Sequence, residues 1–108
     1  DDMDWTSLHF AAEKGYLSIA SLLLAHGASV DARTKQQTTP LIIATCNGRE
    51  DIIRLLLDKG AQAEDCDEYG STSLHVAAYN GRLTIVSTLL ERGASVAART
   101  KEERTPLM

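Results

Sequence analysis

Cysteine is scarce. The 108 residues hold two, Cys46 and Cys66. Neither stands in a C-x-x-C pair or at a zinc-ligand spacing, which excludes a disulfide framework and a cysteine-built metal knuckle. Two isolated thiols suit a reducing compartment, so cytosol or nucleus is expected. Surplus basic charge is also missing. Lys and Arg number 11 against 15 Asp and Glu, for a net charge of −4. A phosphate-neutralising surface needs clustered excess Lys and Arg, so no nucleic-acid partner is expected. No apolar run approaches the ~20 residues of a bilayer span, and no secretory leader is visible. No membrane partner is therefore expected for this segment. Glycine-rich phosphate loops, metalloprotease helices and nucleophile elbows are absent as well. The chain is read as carrying no catalysis of its own and no cofactor.

What is present is periodicity. The apolar share of 44% is that of a folded chain, and the sequence repeats itself after 33 residues. Thr6-Ser7-Leu8-His9 returns as Thr39-Pro40-Leu41-Ile42, as Thr72-Ser73-Leu74-His75 and as Thr105-Pro106-Leu107-Met108. Gly15, Gly48 and Gly81 keep the same spacing, as do Gly27-Ala28, Gly60-Ala61 and Gly93-Ala94. Leu23-Leu24, Leu56-Leu57 and Leu89-Leu90 follow them. Self-similarity at a fixed period of this size signals stacked supersecondary units. Each unit has too little apolar surface to bury alone, so neighbours complete its core.

On these residues the chain closely resembles the ankyrin repeat family, from end to end and without insertion. The fold this implies is all-α: a solenoid of stacked helix-turn-helix units joined by hairpin-like loops. The units are residues 1–33, 34–66 and 67–99, with a partial fourth at 100–108. The most complete copy lies in residues 67–80, DEYGSTSLHVAAYN. The chain lacks a starting Met and stops in mid-motif, so it is read as a stretch of a longer array. Alone, such a stretch is expected to be marginally stable and monomeric.

Local signals place the helices. Thr6 is suited to cap a first helix, since its hydroxyl can accept an otherwise unpaired first-turn N–H. Gly15 is suited to end it in a left-handed conformation. A second helix is expected over 17–25, with Ile19, Leu22, Leu23 and Leu24 on its core side, closed by His26 and Gly27. Pro40 fits a first helical turn, where its missing N–H costs nothing. The second helix of the second unit, expected over about 50–59, opens with Glu50 and Asp51 and closes with Lys59, in accord with the helix dipole. Asp67 and Gly70 are suited to a tight turn.

Departures from the pattern are few. Ile42 replaces the histidine of the repeated motif, Gln37 and Asp4 stand where Gly70 does, and Thr34 stands where Asp67 does. Glu103 and Thr100 repeat these two departures, so the connections into the second and fourth units are expected to be less ideal turns. Successive tips alternate in charge. Asp1, Asp2 and Asp4 are followed by Arg33 and Lys35, then by Glu64, Asp65, Asp67 and Glu68, and the fourth tip is mixed, with Arg99, Lys101, Glu102, Glu103 and Arg104. Tip-to-tip ion pairing is the plainer reading of this alternation, and a charge-selective surface the bolder one.

His9 and His75 share one repeat position, which speaks for structure over catalysis. The Cys46 thiol lacks the neighbouring base that a nucleophile needs, and no disulfide to Cys66 is expected. A metal held by Cys66 with Glu64, Asp65 and Asp67 is an unspecific possibility. The family resemblance implies instead that a partner protein meets a concave face made of loop tips and first helices. Carried over by position, that face comprises Met3, Trp5, Glu13 and Lys14, then Lys35, Gln36, Thr38, Cys46 and Asn47. It continues with Glu68, Tyr69, Ser71, Tyr79 and Asn80, flanked by Arg33, Arg99 and Lys101. Trp5, Tyr69, Tyr79 and Arg33 are the residue types that most often anchor a partner. Two rivals remain open at this point: a structural spacer within a long array, and a small-ligand or nucleotide site with Trp5 or Tyr79 stacked on a ring beside Lys35 and Arg33.

Overall fold

A computed structural model describes residues 3–94. Asp1, Asp2, Arg99, Lys101 and the partial fourth unit lie outside the described residues. Six helices follow in order: α1 (Ser7–Lys14), α2 (Leu17–Ala25), α3 (Pro40–Cys46), α4 (Glu50–Asp58), α5 (Ser73–Tyr79) and α6 (Leu83–Glu91). Within each unit two helices pair, α1 with α2, α3 with α4 and α5 with α6. The first helices stack on one another, α3 lying between α1 and α5, and α2 packs on α4.

The caps explain why each first helix starts and stops where it does. Thr6, Thr39 and Thr72 are extended N-caps whose hydroxyls accept the N–H three residues on. In α1 and α5 the histidine answers by accepting the cap residue's own N–H, completing a reciprocal box. Ile42 cannot do this, so α3 keeps only half the box. Gly15 ends α1 in the left-handed region, at φ +79°.

Small residues let the layers close. Ala11, Ala12, Ala20, Ala44 and Ala77 are buried together with Leu8, Leu41, Ile52, Ile53, Leu56, Leu74, Ile85 and Leu89. The expected core side of α2 is corrected here. Leu23 and Leu24 are half-buried, but Ile19 and Leu22 are exposed. The residues are of core type. Their unit lies at the end of the described stack, where nothing covers them.

The tips form a hydrogen-bonded row. The Lys35 N–H donates to the Met3 carbonyl and the Glu68 N–H to the Gln36 carbonyl, both at 3.0 Å. Within the second connection Gln37 N–H donates to Thr34 O (2.9 Å) and Thr34 N–H to Thr38 O (3.0 Å). The third repeats this with Gly70 to Asp67 and Asp67 to Ser71, each at 3.0 Å. The second connection thus keeps the same turn despite its substitutions. The Thr34 hydroxyl accepts the Thr38 N–H (3.2 Å) as the Asp67 carboxylate accepts those of Tyr69 and Ser71. The cost of the departure is backbone strain. Gln37 and Asp4 sit at φ +65° and +60°, in the region Gly70 occupies without a Cβ penalty.

Candidate interaction surface

The tips are joined in a row by backbone hydrogen bonds, and the first helices stack on one another. The tip positions are Met3, Gln36 and Tyr69 in successive units, and the helix positions are Glu13, Cys46 and Tyr79. Their neighbours are Lys14, Asn47 and Asn80. Lys14, Lys35, Cys46, Asn47 and Asn80 are exposed; Glu13, Gln36, Thr38, Glu68 and Ser71 are half-buried. Tyr69 and Tyr79 stand out, with 65% and 86% of their surface open to solvent. The neighbouring Glu68 carboxylate, as an acceptor for its hydroxyl and as a charge, pushes the Tyr69 phenol above its usual value.

Two expected anchors are engaged inside the protein. Trp5 is half-buried, its ring 5.0 Å from Phe10 and 5.8 Å from His9, both tilted by nearly 50°. Both partners belong to α1 of the same unit. Arg33 ties two tips together. Its Nη1 donates to the carbonyls of Gln37 (3.0 Å) and Cys66 (2.8 Å), and its Nη2 pairs with Asp65 at 3.2 Å. The alternating tip charge is therefore used, in this instance, for tip-to-tip bonding.

His9 is likewise a structural group. Its Nδ1 accepts the Thr6 N–H at 3.0 Å. The neutral ring then carries its proton on Nε2, which donates to the Thr38 carbonyl of the next unit at 3.0 Å. Burial pushes its pKa below the ordinary histidine value, against an opposing pull from the Thr38 and Ala32 carbonyls. His75 repeats the local half of this arrangement, with Nδ1 accepting the Thr72 N–H at 3.1 Å.

Cys46 and Cys66 are exposed free thiols. Partial burial pushes the Cys46 thiol up, aided by Asp67 and opposed by Arg82, so it lacks an activated nucleophile's environment. Among the described residues no three His, Cys, Asp or Glu side chains are placed to hold a metal ion. The Glu64, Asp65, Cys66 and Asp67 run does not converge: Asp65 faces Arg33, and Asp67 accepts backbone N–H groups. No helix among the described residues is long and apolar enough to cross a membrane. A wide-open cleft of about 270 Å³ lies at the α5–α6 turn, lined in part by Glu50, Asn80 and Arg82.

Sequence reasoning passed over Phe10. It holds the register position of Ile43 and Val76, and it is 46% exposed where Ile43 is buried. The signal available was that shared position, in a unit with no described neighbour before it.

Three stacked helix pairs with capped first helices and hydrogen-bonded tips define a repeat solenoid, the architecture of modules that present an extended surface. The chain matches the sequence profile of ankyrin repeats (three copies) over residues 8–100, and it belongs to the ankyrin repeat family. It is also similar to the 2-5A-dependent ribonuclease of Mus musculus, 48% identical over 44 residues. That match takes in 41% of this chain and 6% of the ribonuclease. Ankyrin repeats are in general protein-protein interaction modules without catalysis of their own.

Proposed function

We propose that this array binds a partner protein through the surface of tips and first helices, with no catalysis and no cofactor. One observation carries the reading. At the positions assigned to this surface the units differ (Met3, Gln36, Tyr69; Glu13, Cys46, Tyr79), while the N-cap threonines (Thr6, Thr39, Thr72) and the core positions Leu8, Leu41, Leu74 and Ala11, Ala44, Ala77 agree. Among the varied positions, Tyr69 and Tyr79 are large, rigid and open. An aromatic ring with a polar tip contributes contact area at low entropic cost, which is why tyrosine recurs at binding hot spots. The two exposed free thiols fit a reducing compartment, cytosol or nucleus. The array acts as a monomer, with no nucleic acid and no membrane as partner of this segment.

The ribonuclease's name states a dependence on 2-5A, which brings the small-ligand reading back into view. The packing of Trp5 on Phe10 and the engagement of Arg33 by two carbonyls and Asp65 favour a protein partner over a stacked small ligand.

Affinity capture from the source lysate tests the proposal, with the Tyr69→Ala, Tyr79→Ala double variant as control. A protein retained by the native chain and lost by the variant is expected, since truncated hot spots cost about 1–2 kcal/mol each. Equal retention, with both chains folded by circular dichroism, would sink the assignment and favour a spacer role.

A further inference from the structure

The turn between α5 and α6 carries two polar residues that the turn between α3 and α4 also carries, and it leaves them unbonded. Asn47 and Asn80 hold one register position, Arg49 and Arg82 another. In the second unit both side chains are engaged. The Asn47 Nδ2 donates to the Ile43 carbonyl at 2.8 Å, and the Arg49 Nε donates to the Glu13 carbonyl at 3.1 Å. In the third unit neither the Asn80 amide nor the Arg82 guanidinium makes a hydrogen bond or an ion pair. The other arginines among the described residues are all bonded: Arg33 to two carbonyls and Asp65, Arg49 to Glu13, Arg54 to Glu50 and Arg92 to Asp58.

Arg82 nevertheless has a defined place. It lies over the Gly48 turn, where a Cβ would collide with its Nη1. Its charge reaches the thiol of Cys46, one of the surface positions named above. Arg82 and Asn80 line the open cleft of about 270 Å³ together with Thr84, whose hydroxyl is also unbonded. Tyr79 precedes Asn80, 86% exposed and with its hydroxyl unbonded. A guanidinium can only donate, and an amide N–H and a hydroxyl can donate beside it. The planar fork of arginine matches a carboxylate through two parallel bonds. The acidic groups nearby are taken up elsewhere. Glu50, which lines the same cleft, lies 3.8 Å from Arg54. Asp67, whose charge also reaches Cys46, accepts the N–H groups of Tyr69 and Ser71.

We infer that Arg82 and Asn80 are a carboxylate-binding anchor for the partner protein, which presents an aspartate or glutamate side chain there from a short segment whose next apolar residue covers the Tyr79 ring. The inference rests on the protein-binding reading above and adds the chemistry of the occupant. A basic segment would set like charge against Arg82. A neutral one would take water from the guanidinium without replacing its acceptors, which is costly for a charged donor.

Selection of displayed random, unphosphorylated peptides on the full natural polypeptide tests this. Arg82→Gln removes the charge without breaking any bond within the protein. Arg92→Gln removes the same charge beyond the other end of α6, where it pairs with Asp58. The native chain and Arg92→Gln are expected to enrich Asp or Glu at one peptide position, and Arg82→Gln to lose that enrichment. The best acidic peptide should bind Arg82→Gln on the order of tenfold more weakly, and Asn80→Ala more weakly by a smaller factor. Arg82→Glu should select Lys or Arg at the same position, a reversal that a folding defect cannot produce. Peptides held through Tyr79 with no acidic preference, or with one that survives Arg82→Gln, would overturn the inference and leave the protein-binding reading standing. A preference lost equally in Arg92→Gln would overturn it as an effect of net charge. If the native chain retains no peptide, both readings fall.

Discussion

At His9 one imidazole joins two units through both ring nitrogens, and each bond specifies the other. Because Nδ1 accepts the Thr6 N–H, the neutral ring has its proton on Nε2 and can donate to Thr38 O. Protonation would place a second N–H against the Thr6 N–H and charge a buried ring. Both effects favour the neutral form, and burial is the larger cause of the lowered pKa. The consequence for stability has a definite sign. The unfolded chain titrates at the ordinary value of about 6.5, and the folded chain takes up its proton only at lower pH. The contribution of His9 is therefore complete above about pH 6.5 and is lost as the pH falls towards the folded value. Two-dimensional NMR of the imidazole should show His9 titrating below a histidine in the unfolded chain. The stability decline between neutral and mildly acidic pH should shrink in His9→Gln. A His9 midpoint at or above 6.5 would contradict the buried, neutral assignment.

At the scale of the element, Arg33 links successive connections. It bonds the Gln37 carbonyl within its own turn, and the Cys66 carbonyl and Asp65 of the following one. The Arg54–Glu50 pair on α4 is the useful contrast: an exposed i,i+4 contact at 3.8 Å with no backbone acceptor. Exposed pairs of that kind contribute about 0.5 kcal/mol or less. Arg33 is about two-thirds covered and satisfies two carbonyls, so solvent screens it less. Arg33→Ala is expected to cost about 1 kcal/mol and Arg54→Ala close to nothing, measured by urea unfolding. Equal losses would show that Arg33 is an ordinary surface charge. How much of this was legible in the sequence depends on where the information lies. The bounds of α2 were legible because Gly15 and His26 punctuate a run without breakers. The left-handed turn position was legible because Gly70, Gln37 and Asp4 share a register. The engagement of Arg33 was not, since its acceptors are carbonyls, and backbone geometry has no letter in the sequence. Trp5 was ambiguous for a related reason, because its neighbour Phe10 holds a position that is buried as Ile43 in the second unit and exposed in the first.

In the molecule as a whole, the same amino acid carries different weight according to its place in the stack. Ile19 and Ile52 show this with chemistry held constant. In a one-dimensional array stability is a sum of unit terms and nearest-neighbour interfaces, and the second unit takes part in both interfaces described. Ile52→Ala therefore opens a cavity where two units meet, at an expected cost of about 3 kcal/mol. Ile19→Ala removes methyl groups that water already reaches, leaves no closed cavity and should cost about 1 kcal/mol or less in this 108-residue chain. Chemical denaturation of the two variants measures the difference directly. The interface term behind it explains why Ile19 and Leu22 read as core residues yet stand exposed: burial here belongs to the boundary between units, and a single unit's letters encode only half of it.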